Sequence, residues 1–177
     1  GEKNWGYQTI EKAYANRGRL SPAEAFARRM VQAHGEENVC IIRYSPGGHP
    51  IVAFLAPDRR EVEPRDVNSE LWPGWVDLPR EKIDYLVNHG DRVNIRGVIM
   101  FQGFNDRLSP NAEYYETHLR RLMQDGRNRL GIPDLPWLQV RSPTHGGAWE
   151  RGLIHDAQES VADADPYARW ISSDQPL

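Results

Sequence analysis

The sequence predicts an α/β fold, a parallel sheet with helices on both faces. Three observations carry this. Short, nearly continuous apolar runs at Val39–Tyr44, Ile95–Phe101 and Pro136–Arg141 suit strands covered on both sides. Between them lie longer stretches with helical periodicity, opened by caps and closed by glycines. The two kinds alternate along the chain, which is the order that a parallel sheet with crossover helices requires.

Residues 1–20 are polar with scattered aromatics (Trp5, Tyr7, Tyr14) and read as an irregular lead-in. Ser21-Pro22-Ala23-Glu24 then opens a helix: Ser21 caps, Pro22 fits the first helical position and Glu24 completes a capping box. This helix runs to about His34, with Ala25, Phe26, Met30 and Ala33 near one face, and Gly35 stops it. The run Val39–Tyr44 is the first buried strand, ending in the sharp loop Ser45–Pro50. Residues 51–79, rich in Pro, Asp and Arg, read as a long surface excursion carrying Trp72 and Trp75. Pro79 to His89 is a helix with Ile83, Leu86 and Val87 on one face, closed by Gly90. Ile95–Phe101 is the second strand. Pro110 to Leu130 is the longest helix, with Tyr114, Leu119, Leu122 and Met123 inward, weakened at Gly126 and ended by Gly131. Pro136–Arg141 is the third strand, Glu150–Ala164 an amphipathic helix (Leu153, Ile154, Ala157, Val161), and Arg169–Ser172 the start of a fourth strand.

The 177 residues suit one domain with a real core. A net charge of −3 leaves no electrostatic footprint for nucleic acid or an anionic membrane. No apolar run approaches the roughly 18 residues of a membrane span. A single cysteine excludes an internal disulfide framework and a multi-cysteine zinc site, and no metal is expected. No dinucleotide or Walker glycine pattern is present.

In such a sheet the functional groups gather where strands give way to loops at their carboxyl ends, here 45–50, 102–109 and 142–149. Gly103 just past a strand lets a backbone amide point into a cleft, and Asn105 offers a side-chain amide beside it. Two donors converging on one point are what a tetrahedral oxyanion needs during acyl transfer. The same residues also make an ordinary turn. Gly47-Gly48 is placed to add another N–H, or to be a tight turn. His49 and His145 sit in loops at the same mouth, where each can contact a ligand or face solvent, and Asp106 joins them as a ligand-contact candidate. Trp75, in Trp72-Pro73-Gly74-Trp75, is either a sugar-stacking platform or a packing residue. Cys40, inside an apolar run with no partnered base, reads as an inert core thiol. His34, His89 and His118 read as helix-end or surface residues, and Arg120-Arg121 as a solvated helix face.

Ile41-Ile42-Arg43-Tyr44-Ser45-Pro46-Gly47-Gly48 resembles the second block of the SGNH-hydrolase superfamily, in its sialate O-acetylesterase and acetylxylan-esterase branch. Ile95–Gly103 resembles the strand carrying that branch's third block, usually Gln-Gly-Glu-Ser-Asp. Here the block reads Gln102-Gly103-Phe104-Asn105-Asp106, departing from the branch at Phe104 and Asn105 while matching the wider Gly-x-Asn-Asp pattern. Leu130-Gly131-Ile132-Pro133-Asp134-Leu135-Pro136 and Ile154-His155-Asp156-Ala157-Gln158 are similar to the same branch. The resemblance implies a flavodoxin-like three-layer sandwich with a mostly parallel sheet, lacking its first strand and last helix. It implies hydrolysis of acetyl esters on sugars or of another small ester, by a serine nucleophile with a His base and an Asp, without a cofactor. Gly47 or Gly48, Gly103 and Asn105 would be the oxyanion donors. Export from the cytoplasm is common in this branch, but no signal peptide opens the sequence.

The branch's first block, a Gly-Asp-Ser or Gly-Gln-Ser-Asn turn, and its last, Asp-x-x-His, do not occur in this sequence. The expectation is a partial domain completed by a missing segment or a second chain, these residues alone being inactive. The alternative is a non-catalytic interaction or glycan-binding module on the same scaffold.

Overall fold

A computed structural model of the protein describes residues 22–35, 39–56, 71–108, 110–141 and 151–172. The lead-in 1–20, the Ser21 cap and the loop 142–149 lie outside the described residues. The chain divides into two compact units, Gly1–Ser45 and Pro46–Leu177.

In the first unit, helix α1 spans Pro22–His34. Gly35 ends it in the left-handed region at φ +86°, its N–H returning to the Val31 carbonyl at 2.8 Å. Ala27 on α1 is buried, whereas Phe26, placed inward from the sequence, is exposed. The apolar run Val39–Tyr44 forms no strand, and Ile41, Ile42 and Tyr44 are exposed. An apolar run marks a segment fit for a sheet, but pairing makes the strand, and pairing is not written in the run itself.

The second unit holds a three-stranded parallel sheet, β1 (Val98–Met100), β2 (Trp137–Arg141) and β3 (Ala168–Ser172), in that spatial order. Val98 stands opposite Trp137, and Leu138 opposite Arg169. The helices are α2 (Leu78–Asn88), α3 (Tyr115–Leu130) and α4 (Arg151–Ala164). The protein is therefore α/β with a parallel sheet, consistent with a flavodoxin-like fold. None of the described helices is long and apolar enough to cross a membrane.

Helix α3 buries Tyr115, Leu119, Leu122 and Met123 against Trp137, Ile154, Ala157, Val161 and Ala168. Tyr115 replaces Tyr114 as the inward aromatic, Tyr114 being exposed. The reason is geometric. Residues Pro110–Tyr114 form a 3-10 turn, with three residues per turn rather than 3.6, and the α-helical phase begins only at Tyr115. On α4, Ile154, Ala157, Gln158, Val161 and Ala162 face inward while Leu153 is exposed, because the apolar stripe follows the i, i+3, i+4, i+7 rows from Ile154.

The expected surface excursion 51–79 is corrected at both ends. Ile51, Val52, Ala53 and Leu55, in and after a 3-10 turn at Ile51–Phe54, are core residues, as are Leu71 and Val76. The run Ile51–Ala56 is apolar and must leave water, whatever its proline-rich surroundings suggest. Residues 57–70 lie outside the described residues. Arg127, buried near the end of α3, donates from Nη2 to the Leu135 carbonyl at 3.0 Å and pairs with Asp165, tying the approaches to β2 and β3 together.

Gly126 weakens α3 in propensity but admits the Trp75 ring: a Cβ there would meet Trp75 Cη2 at 2.7 Å and Trp137 Cζ3 at 3.5 Å. Gly126→Ala is thus expected to lower stability by about 1–3 kcal/mol through overpacking, exceeding the roughly 1 kcal/mol that alanine gains in a helix. Urea unfolding checks the sign; a more stable variant would show that Trp75 moves aside freely.

Candidate functional site

After β1 the chain turns through Phe101–Asn105 into a 3-10 turn at Asp106–Leu108. Gly103 sits there at φ +115°, and a Cβ would lie 2.6 Å from Ile154 Cγ2 and 3.2 Å from the Tyr115 hydroxyl, so conformation and space both require glycine. Gln102, itself buried, folds its carboxamide over this backbone. Its Oε1 accepts the Gly103 N–H, and its Nε2 donates to the His49 carbonyl at 3.0 Å. The Gln102 carbonyl accepts from Gln158 Nε2 at 3.1 Å, and that nitrogen also lies 3.4 Å from the Tyr115 hydroxyl.

Asp106 is fully buried. Both its carboxylate oxygens accept the N–H of Ile51, at 2.9 and 3.1 Å. Ile51 opens a 3-10 turn whose preceding residue, Pro50, has no side chain to cap it, so Asp106 caps it from 55 residues away. Removal from water pushes the Asp106 carboxyl up from 3.8 to about 6, with the Ile51 N–H pulling in the opposite direction. Tyr115 is pushed well above its ordinary value, by burial first and then by the Asp106 charge. The loops 45–50 and 102–106 are thereby joined by hydrogen bonds at two places.

The residues singled out from sequence fare differently. Gly47 and Gly48 are exposed, Gly48 at φ +83°, with open space at both positions for a Cβ. Asn105 is half-buried, in the loop that Gln102 and Asp106 join to loop 45–50. The Gly103 amide, expected as a cleft-facing donor, is instead taken by Gln102, because a glutamine directly before a glycine can curl its own acceptor onto the next N–H. Asp106, expected to contact a ligand, is sealed inside and faces Ile51. His49 is half-buried and contributes its carbonyl to Gln102. His145 lies outside the described residues.

Trp75 packs into the domain. Its Nε1 donates to the Phe54 carbonyl at 2.7 Å, and its ring meets Trp72 and Trp137 edge-on, with centroids 5.6 and 5.9 Å away. Cys40 is exposed rather than a core thiol, its run being unpaired. His118 is fully buried, since it lies one turn after Tyr115 and one before Leu122 on the inward side of α3. Arg121 is largely covered, 3.6 Å from Asp125 one turn on, while Arg120 stays outside and pairs with Glu116. Phe101 and Phe104 of this turn are exposed, and the Arg107 guanidinium lies 3.3 Å over the Phe104 ring.

Sequence reasoning passed over Gln102, Gln158, Tyr115 and Ile51. Spacing carried part of the signal: Tyr115 stands four residues before Leu119, and Gln158 four after Ile154, each on its helix's buried row.

The family model described as carbohydrate esterase, sialic acid-specific acetylesterase, matches residues 7–175 of this chain. No curated protein and no solved structure matches it.

The raised Asp106 value sets a pH dependence. The folded carboxyl binds its proton more tightly than the unfolded one, so this group favours folding most below about pH 4. Its contribution falls as pH rises through about 6 and is level above that, a loss on the order of 3 kcal/mol. Denaturant titrations from pH 4 to 8 should show this decline, and Asp106→Asn should flatten it. An equal slope in the variant would assign the decline to other groups.

Proposed function

Because this chain belongs to the sialic acid-specific acetylesterase family of carbohydrate esterases, we propose that its site hydrolyses O-acetyl esters of carbohydrates by the serine-esterase route. The observation that carries this reading is the joining of loop 45–50 to loop 102–106 through Gln102 and Asp106. It supports a common rim for Gly47, Gly48 and Asn105. In the proposed reaction a serine hydroxyl attacks the acetyl carbonyl while a histidine takes its proton. The carbonyl oxygen becomes an oxyanion, which receives hydrogen bonds from the Asn105 carboxamide and the amides of Gly47 or Gly48. The histidine then hands the proton to the departing sugar oxygen, and water releases acetate from the serine. No Gly-Asp-Ser, Gly-Gln-Ser-Asn or Asp-x-x-His pattern within these 177 residues names that serine or histidine.

In this reading His49, in loop 45–50, and Phe104, next to Asn105 in sequence, touch the sugar. Gly103 serves the site by its lack of a side chain. The same missing patterns, with Phe104 where the branch has an acidic residue, favour a second reading, a non-catalytic glycan-binding module. Turnover separates the two.

Full-length protein carrying Asn105→Ala should lose about 10²–10³ in kcat toward p-nitrophenyl acetate, the usual cost of one oxyanion donor. Unchanged turnover would remove Asn105 from the reaction, and a wild type that binds acetylated sugar without cleaving it would favour the module.

A further inference from the structure

We propose that Asp106 is a positioning residue of the esterase site, an inference that rests on the function proposed above. Its carboxylate holds the Ile51 N–H, and through it the outgoing end of loop 45–50, in register with loop 102–106. Four observations support the assignment. Asp106 is fully buried, so it meets neither solvent nor a solvent-borne substrate. Both its oxygens converge on one backbone N–H, at 2.9 and 3.1 Å, across 55 residues of sequence. The adjacent joint, Gln102 Nε2 to the His49 carbonyl at 3.0 Å, lies two residues from that N–H and comes from the same loop as Asp106. Finally, Gly47 and Gly48, which run directly into these two joints, have open space where a Cβ would stand.

The chemistry explains why an acidic side chain serves here. Pro50 has no N–H and its side chain makes no cap, so the first donor of the Ile51–Phe54 turn needs an acceptor from elsewhere. A buried N–H without one is costly, and the acceptor that satisfies it also dictates where the loop lies. An acceptor is needed rather than a charge: the single amide oxygen of asparagine can take the shorter of the two contacts with the Ile51 N–H. Asp106 thus acts through the loop and does not touch the reacting atoms.

The test uses full-length protein with three variants, Asp106→Asn, Asp106→Ala and Gln102→Met, read by acetyl-ester kinetics and by amide exchange at Ile51 and Gly48. Asp106→Ala should lower kcat about 10–100-fold, the scale of a displaced donor, with little change in KM. Its Ile51 amide should exchange faster, while the α3 amides stay protected. Asp106→Asn should restore both kcat and protection. Gln102→Met, which cuts the other joint, should lower kcat in the same way and keeps the test usable if Asp106→Ala does not fold. Wild-type kcat in Asp106→Ala, or in Gln102→Met, overturns the proposal, as does failure of Asp106→Asn to restore it. If the wild type hydrolyses no acetyl ester, the functional reading itself fails. Exchange then decides the tether alone: unchanged Ile51 exchange in Asp106→Ala overturns it, and faster exchange that Asp106→Asn reverses upholds it.

Discussion

A carboxylate taken out of water must be given hydrogen-bond donors, and Asp106 takes its donor from the backbone of a segment far away in sequence. That one requirement organises the candidate site. It obliges Ile51 to sit against the end of β1, which draws the loop before it to the same place. The apolar run after Ile51 then has nowhere to go but the core, where Ile51, Val52 and Leu55 pack with Tyr115, Leu119 and Leu122. Polar satisfaction and hydrophobic burial thus select the same arrangement.

Around this joint the polar groups form a continuous chain. Gln102 reaches His49, its carbonyl is held by Gln158, and Gln158 touches the Tyr115 hydroxyl. Two helices, α3 and α4, therefore brace a loop that would otherwise be set by a single glycine. Buried networks of this kind resist small displacements, because any shift leaves a donor or acceptor unpaired. In the proposed reaction that rigidity serves the oxyanion side, where stabilisation depends on dipoles fixed before the reaction begins.

Much of this was legible beforehand. Two of the three apolar runs located β1 and β2, glycines located the helix ends, and the Gly-x-Asn-Asp block pointed to the family. What periodicity could not supply was phase and partnership. A 3-10 turn before α3 decides between Tyr114 and Tyr115, and no pattern within the helix announces it. Trp75 looked like a platform because its neighbours are Pro and Gly, yet the gap that receives it is at Gly126, far along the chain. Val39–Tyr44 reads as a strand from composition, but composition carries no record of a pairing edge. The partner of Asp106 is a backbone N–H, which every residue but proline has, so nothing in the sequence marks Ile51 as the one chosen.

The most direct test follows the carboxyl carbon of Asp106 by NMR as pH is varied, together with the Ile51 amide proton. If the carboxylate is buried on that amide, the carbon should titrate near pH 6 and the Ile51 proton should shift with the same midpoint. A midpoint near the ordinary value of 3.8, or an Ile51 proton indifferent to it, would mean that Asp106 lies in water and that the two loops are not joined there.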